Sequence, residues 1–144
     1  MKSKNKNFGK TNLFLGLFFI LTLIGCSQEV PKSQTQIKNG RLYRIGESTP
    51  FTGYVVGKSR EGYRSDLCTY KKKYVDGILK GKSKFWYPDG TLESVEPYEN
   101  GKLNGIVVRY YPNGRVKAHM HLVNGERGGD KGEAFYSPEG KRIR

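Results

Sequence analysis

The chain has 144 residues, a length typical of one domain of ordinary size. It carries 26 lysines and arginines against 13 acidic residues, for a formal net charge of +13. Such a charge suits anionic lipid headgroups or acidic polymers. Apart from Lys71-Lys72-Lys73, however, the basic residues are scattered, as on an ordinary solvated surface.

The first 25 residues have the three parts of an export signal. Four lysines in the first ten residues precede an apolar run over residues 13–24, which is shorter than the roughly 20 residues of a membrane-spanning helix. The run ends in Leu23-Ile24-Gly25-Cys26, which resembles the lipobox of bacterial lipoproteins. The resemblance implies a signal helix over residues 1–25, cleavage between Gly25 and Cys26, and acylation of Cys26 with palmitate or similar chains. An uncleaved helix or an ordinary cleaved signal is the alternative.

Residues 26–39 are mostly polar, and we interpret them as a tether between the lipid and the fold. Loss of four lysines with the signal lowers the formal charge from +13 to +9. The predicted location is the cell envelope, with a lipid anchor in the membrane. Ser27 resembles the signal for the outer membrane if the host is Gram-negative; otherwise we expect the outer face of the cell membrane. Because the chain leaves the cytoplasm, nucleic acid is not an expected partner.

Residues 40–144 repeat themselves. Gly77, Gly101 and Gly125 are spaced by 24 residues, and each follows an Asp or Asn. Asx-Gly is a strong hairpin signal because both central residues of the favoured turn need positive φ, and we expect the same turn at Asp89-Gly90 and Asn113-Gly114. The segments between the turns alternate apolar and polar side chains. We therefore predict an all-β fold, an elongated single-layer meander of tandem hairpins.

The pattern Y-x-N-G-x-L-x-G at residues 98–105, followed by Y-Y-x-N-G at residues 110–114, resembles the MORN family of repeats. It is closest to the bacterial variant found in proteins called YwqK-family antitoxins. The resemblance covers roughly residues 40–144 and implies a β-hairpin array used for binding. It also implies no cofactor and no catalytic constellation, so we predict that the chain is not an enzyme.

Few residues suggest chemistry of their own. His119 and His121 would share one face of a strand, a spacing that can bind a metal, but a stable site needs three or four ligands and Lys117 shares that face. We therefore predict no metal site. Cys68 lies in a strand-like segment without a nearby histidine, and we expect an inert thiol. With Cys26 lipidated, no intramolecular disulfide is expected.

Aromatic residues recur before the second turn of each unit and form our candidate binding face. Its members are Trp86, Tyr87, Tyr110, Tyr111 and Tyr136. These side chains either contact a ligand or brace the hairpins. We predict a non-catalytic, lipid-anchored envelope protein that binds or scaffolds a protein or cell-wall partner through its repeat face. The alternatives are an immunity or antitoxin protein that neutralises a cognate toxin, and recognition of anionic lipid by the basic domain.

Overall fold

The computed structural model describes residues 28–59, 67–129 and 132–144. The predicted signal helix, the cleavage site and Cys26 lie outside these residues. No helix within the described ranges has the length and hydropathy required to cross a membrane. Their one helical element is a single 3-10 turn, η1 (Lys32–Gln34).

The remaining elements are strands, as predicted. In chain order they are β1 (Glu29–Pro31), β2 (Thr35–Lys38), β3 (Arg41–Arg44), β4 (Gly53–Ser59), β5 (Cys68–Val75), β6 (Ile78–Leu79), β7 (Gly81–Trp86), β8 (Leu92–Glu99), β9 (Lys102–Leu103), β10 (Gly105–Tyr110), β11 (Val116–Val123), β12 (Glu126–Arg127) and β13 (Ala134–Phe135).

Most strands form one sheet in the order β1-β4-β5-β7-β8-β10-β11. All neighbours along this path are antiparallel except β1 and β4, which are parallel. The short strands β6, β9 and β12 pair back onto β5, β8 and β11, and β13 also pairs with β11. Strands β2 and β3 form a separate hairpin. The prediction of an all-β array of tandem hairpins is confirmed.

Two kinds of turn alternate along the sheet. At the first kind, an Asx-Gly pair has positive φ at both central residues, as in Asn100 (φ 50°) and Gly101 (φ 81°). These values are those of a type I′ turn, whose twist matches that of the flanking strands. The same geometry recurs at Asn39-Gly40, Asp76-Gly77 and Asn124-Gly125, where it was expected from the sequence.

The second kind of turn differs from the prediction, because positive φ occurs at its glycine but not at the residue before it. Gly90 donates its backbone N–H to the Tyr87 carbonyl at 2.9 Å, and Tyr87 donates to the Thr91 carbonyl at 2.8 Å. Pro88 therefore lies inside the turn, where its fixed φ is favourable, rather than at the end of a strand. Residues 111–115 and 137–141 repeat these hydrogen bonds.

Successive Asx-Gly turns are linked by backbone hydrogen bonds. Gly101 donates its N–H to the Leu79 carbonyl at 2.9 Å, and Gly125 donates to the Leu103 carbonyl at 2.8 Å, exactly one repeat later in the chain. Gly77 makes the corresponding bond to the Phe51 carbonyl at 2.8 Å. The turns at this end of the strands consequently stack with a constant offset.

Constant register produces continuous rows of side chains across the sheet, one on each face. We call one face the hairpin face; its central row consists of Gly57, Tyr70, Phe85, Ser94, Arg109, Ala118 and Phe135. We call the opposite face the lysine face; its central row consists of Val56, Lys71, Lys84, Val95, Val108, His119 and Ala134. A bulge pairs Val116 with Tyr110, so Val116 is out of step with the alternation from Ala118 to Leu122.

The hydrophobic core lies where the β2–β3 hairpin covers the hairpin face. Leu42 of β3 is 6% exposed and belongs to the same buried cluster as Val55, Tyr70 and Phe85. Its N–H donates to the Gly77 carbonyl at 2.9 Å, which fixes the hairpin to the first Asx-Gly turn of the sheet. The predicted single layer is therefore doubled at this end.

The predicted tether over residues 26–39 differs from the structure within the described residues. β1 pairs with β4, and Val30, at 3% exposure, belongs to the core cluster. Residues 35–38 form β2. The polar composition around Val30 concealed one buried residue and one edge pairing, because a strand that is covered on one face needs few apolar side chains.

Gly40 and Gly77 offer a matched test of turn stacking. Both have φ near +73°, but a Cβ at Gly77 would lie 2.8 Å from the Leu42 carbonyl oxygen, whereas a Cβ at Gly40 would meet nothing within 4 Å. We expect Gly40→Ala to lower the free energy of unfolding by about 1 to 2 kcal/mol through backbone strain alone. Gly77→Ala should lower it by roughly 1 to 3 kcal/mol more through the added clash. Urea denaturation measures the free energy of unfolding of each variant. Equal decreases in the two variants would contradict close packing at the Gly77 turn.

Candidate functional site

The hairpin face changes character along the sheet. The β2–β3 hairpin packs against this face near β4, β5 and β7 and leaves a hollow of about 380 Å³ between hairpin and sheet. A second hollow, of about 410 Å³, lies over β8, β10 and β11. We call this hollow the C-terminal groove. It is lined by Glu96, Leu103, Val107, Arg109, Met120, Leu122, Gly125 and Arg127.

Differences between equivalent residues of successive repeats explain the polar character of the groove. Residues 24 apart take equivalent places, and Phe85 in the core corresponds to Arg109 in the groove. Likewise Ser83 corresponds to Val107, and Glu96 to Met120. The chain thus replaces a core aromatic by a cation at the point where its own hairpin no longer covers the sheet.

Glu96 is the fixed anion of the groove. The residue is 5% exposed, and both carboxylate oxygens accept hydrogen bonds: Ser94 Oγ donates to Oε1 at 3.1 Å, and Tyr98 OH donates to Oε2 at 2.9 Å. All three alternate along β8 on the hairpin face. These hydrogen bonds stabilise the charged carboxylate at a position that is largely shielded from solvent.

The groove also contains two cations, Arg109 and Arg127. Arg109 pairs with Ser94 in the strand register. The Arg127 side chain, 57% exposed, has its Nε 3.3 Å from an oxygen of the buried Glu133 carboxylate. Val107, Met120 and Leu122 supply the apolar floor between these charges. An apolar floor with oriented charges of both signs suits binding of a mixed-polarity segment rather than proton transfer.

Ser94, Glu96 and Tyr98 were absent from the predicted site. The sequence did contain a signal, since the β8 alternation places polar residues at positions that are apolar one repeat later. The sequence alone does not show which part of the hairpin face lies under the β2–β3 hairpin.

The aromatic residues of the predicted binding face occupy two kinds of position. Trp86 and Tyr110 are half-buried and alternate onto the lysine face. Tyr87 OH donates to the Tyr110 carbonyl at 2.7 Å, and Tyr111 OH donates to the Tyr136 carbonyl at 2.9 Å. Tyr87 and Tyr111 therefore link each Pro-containing turn to the next repeat.

The other candidate residues lie away from the C-terminal groove. His119 and His121 both pair with β10 residues of the lysine face, as predicted from their spacing, and the His119 ring meets the Tyr136 ring edge-on at 6.0 Å. Cys68 is 1% exposed at the start of β5. Within residues 28–59, 67–129 and 132–144, no group of three or more His, Cys, Asp or Glu residues could hold a metal ion.

Tyr87 and Tyr110 provide a test of the bracing role. Tyr87→Phe removes the hydroxyl that bonds to the next repeat, and we expect it to lower the free energy of unfolding by about 1 kcal/mol. Tyr110→Phe is the control, because its hydroxyl makes no hydrogen bond within the described part of the chain, and its effect should stay within about 0.5 kcal/mol. If both substitutions lowered the free energy of unfolding equally in denaturant titrations, the result would argue against a bracing role for the Tyr87 hydroxyl.

Comparison with known proteins supports the repeat interpretation. Residues 79–100 and 103–124 each match the family described as MORN repeat variant. Each matched segment runs from the end of one Asx-Gly turn to the Asn of the next, so the sequence unit coincides with the structural unit. No curated protein matches the chain significantly, and no solved structure does. Two adjacent units of this chain are thus MORN-type repeats.

Proposed function

We propose that the chain is a non-catalytic, lipid-anchored envelope protein that binds a protein partner in the C-terminal groove. The observation that carries the proposal is the hollow of about 410 Å³ over β8, β10 and β11, whose lining includes no residue of the β2–β3 hairpin. MORN repeats are in general modules for interaction with proteins or membranes, which agrees with a binding role.

The covered half suggests what kind of ligand suits the open half. There, a β-hairpin contributes one buried leucine and a backbone hydrogen bond from its N–H to a turn carbonyl. The groove has a comparable apolar floor at Val107, Met120 and Leu122, and a carboxylate and two guanidinium groups that would orient polar atoms of an incoming chain. An extended polypeptide satisfies both requirements.

The anchor is proposed on sequence grounds. The apolar run before Leu23-Ile24-Gly25-Cys26 predicts acylation of Cys26, and an acylated chain would remain at the membrane surface. Membrane attachment would confine the groove to partners in the envelope. An immunity protein that neutralises a toxin would use the same groove, and growth arrest on deletion of the gene, relieved by deletion of a neighbouring toxin gene, would favour that form of the proposal.

Neighbouring residues on β11 allow a test of the groove, because Met120 lines it and His121 is on the other face. We expect a photo-crosslinking amino acid at position 120 to give a discrete adduct in intact cells. The same group at position 121 should give none of that size. The combination of Glu96→Gln and Arg127→Gln should reduce the adduct severalfold by removing the orienting charges. Equal adducts from both positions, or none from position 120, would refute binding in the groove.

Replacement of the predicted lipid site gives an independent test. Cys26→Ser should abolish incorporation of labelled palmitate and move the chain from the membrane fraction to the soluble fraction, because the predicted acylation site is removed. Cys68→Ser is the matched control, and it should leave labelling unchanged since that thiol is buried in the sheet. Labelling that survives Cys26→Ser would rule out this anchor.

A further inference from the structure

A second surface lies on the lysine face, opposite to the C-terminal groove. Its centre is Trp86, the chain's only tryptophan, which pairs with Thr69 across β5 and β7. Lys58 pairs with Thr69 from the other side. Two residues further along the strands, Lys71 and Lys84 pair with each other. Three lysines therefore surround one aromatic side chain.

This surface carries several lysines close together. Lys71 and Lys84 are Cα partners in the sheet, and like charges directly opposite one another destabilise a strand pair. Lys82 of β7 and Lys73 of β5 alternate onto the same face. Among the described residues, Glu29 is the one acidic side chain in an ion pair with these lysines, and it contacts Lys71. The sheet therefore keeps a local excess of positive charge at a cost in stability.

The surface is concave. A hollow of about 520 Å³ has Trp86, Pro31 and Val56 on its apolar side and Lys58, Lys71 and Glu29 on its charged side. We call it the tryptophan hollow. Trp86 is half-buried, whereas Lys58 and Lys84 are exposed. The half-buried indole offers a ring-sized apolar surface to a ligand that enters this shallow hollow.

We infer that the tryptophan hollow binds an anionic polysaccharide. A sugar ring would pack its apolar side against Trp86, and carboxylate, sulfate or phosphate groups along the polymer would pair with Lys58, Lys71 and Lys84. The Glu29 carboxylate competes for Lys71 and would limit the affinity. Because the hollow and the C-terminal groove lie on opposite faces, this site is independent of the proposed protein partner.

The single tryptophan makes the inference directly measurable. We would titrate the full chain, purified in a neutral detergent, with heparin and with polygalacturonate, and follow tryptophan fluorescence. We expect a saturable change that weakens with added salt, because exposed charge pairs are screened. Neutral dextran should produce no change. Vesicles of phosphatidylglycerol form the third arm; a response to them without a response to either polysaccharide would assign the surface to a lipid and overturn the inference.

Charge-matched variants then locate the site. Lys58→Gln with Lys84→Gln should weaken polysaccharide binding by about tenfold or more, since each charged contact contributes to the affinity. The control, Lys102→Gln with Lys141→Gln, removes the same charge from exposed positions outside the hollow and should change affinity less than about twofold. Glu29→Gln should tighten binding roughly twofold to fivefold by releasing Lys71. Equal weakening by the two double variants, or no binding by the unmodified chain, would refute the inference.

Discussion

The fold depends on one repeated backbone hydrogen bond, from the glycine of each Asx-Gly turn to a carbonyl one repeat earlier. Gly101 and Gly125 make it to Leu79 and Leu103. The bond requires two consecutive residues with positive φ, which Asn or Asp followed by Gly adopts at low cost. Because the bond recurs at a spacing of 24 residues, it sets the repeat length and keeps the described strands of successive units in one register.

Constant register turns small sequence differences into surface features. Residues 24 apart occupy equivalent places, so Lys84 of one unit becomes Val108 of the next, and Phe85 becomes Arg109. On the lysine face this substitution replaces a cation by an apolar side chain. On the hairpin face it replaces a core side chain by a groove cation. A repeat protein of this kind can vary its surfaces without altering its backbone, because each face of the sheet is formed by alternate residues of the same strands.

Sequence reasoning predicted the elements that depend on local chemistry. The type I′ turns at Asp76-Gly77, Asn100-Gly101 and Asn124-Gly125, the all-β class and the alternation from Ala118 to Leu122 follow from short-range preferences, and the structure agrees with them. The predictions from sequence were wrong for residues whose burial depends on tertiary contacts. Val30 is a single apolar residue in a polar segment, and its burial depends on the parallel pairing of β1 with β4. The groove was not predicted for the same reason. The polar β8 residues can be recognised as part of a groove only when the structure shows that Leu42 packs against other strands and not against β8.

The buried polar residues of β8 also explain how half of the sheet remains a single layer in water. A face with apolar residues at every inward position would expose a large apolar patch, which favours aggregation through both the face and its edges. Ser94, Glu96 and Tyr98 instead satisfy one another by hydrogen bonds, so the uncovered face needs no second layer to be stable. The same network fixes a carboxylate beside the buried Val107 and the half-buried Met120, which both line the groove. The feature that prevents collapse of the sheet is thus the feature that keeps the groove open.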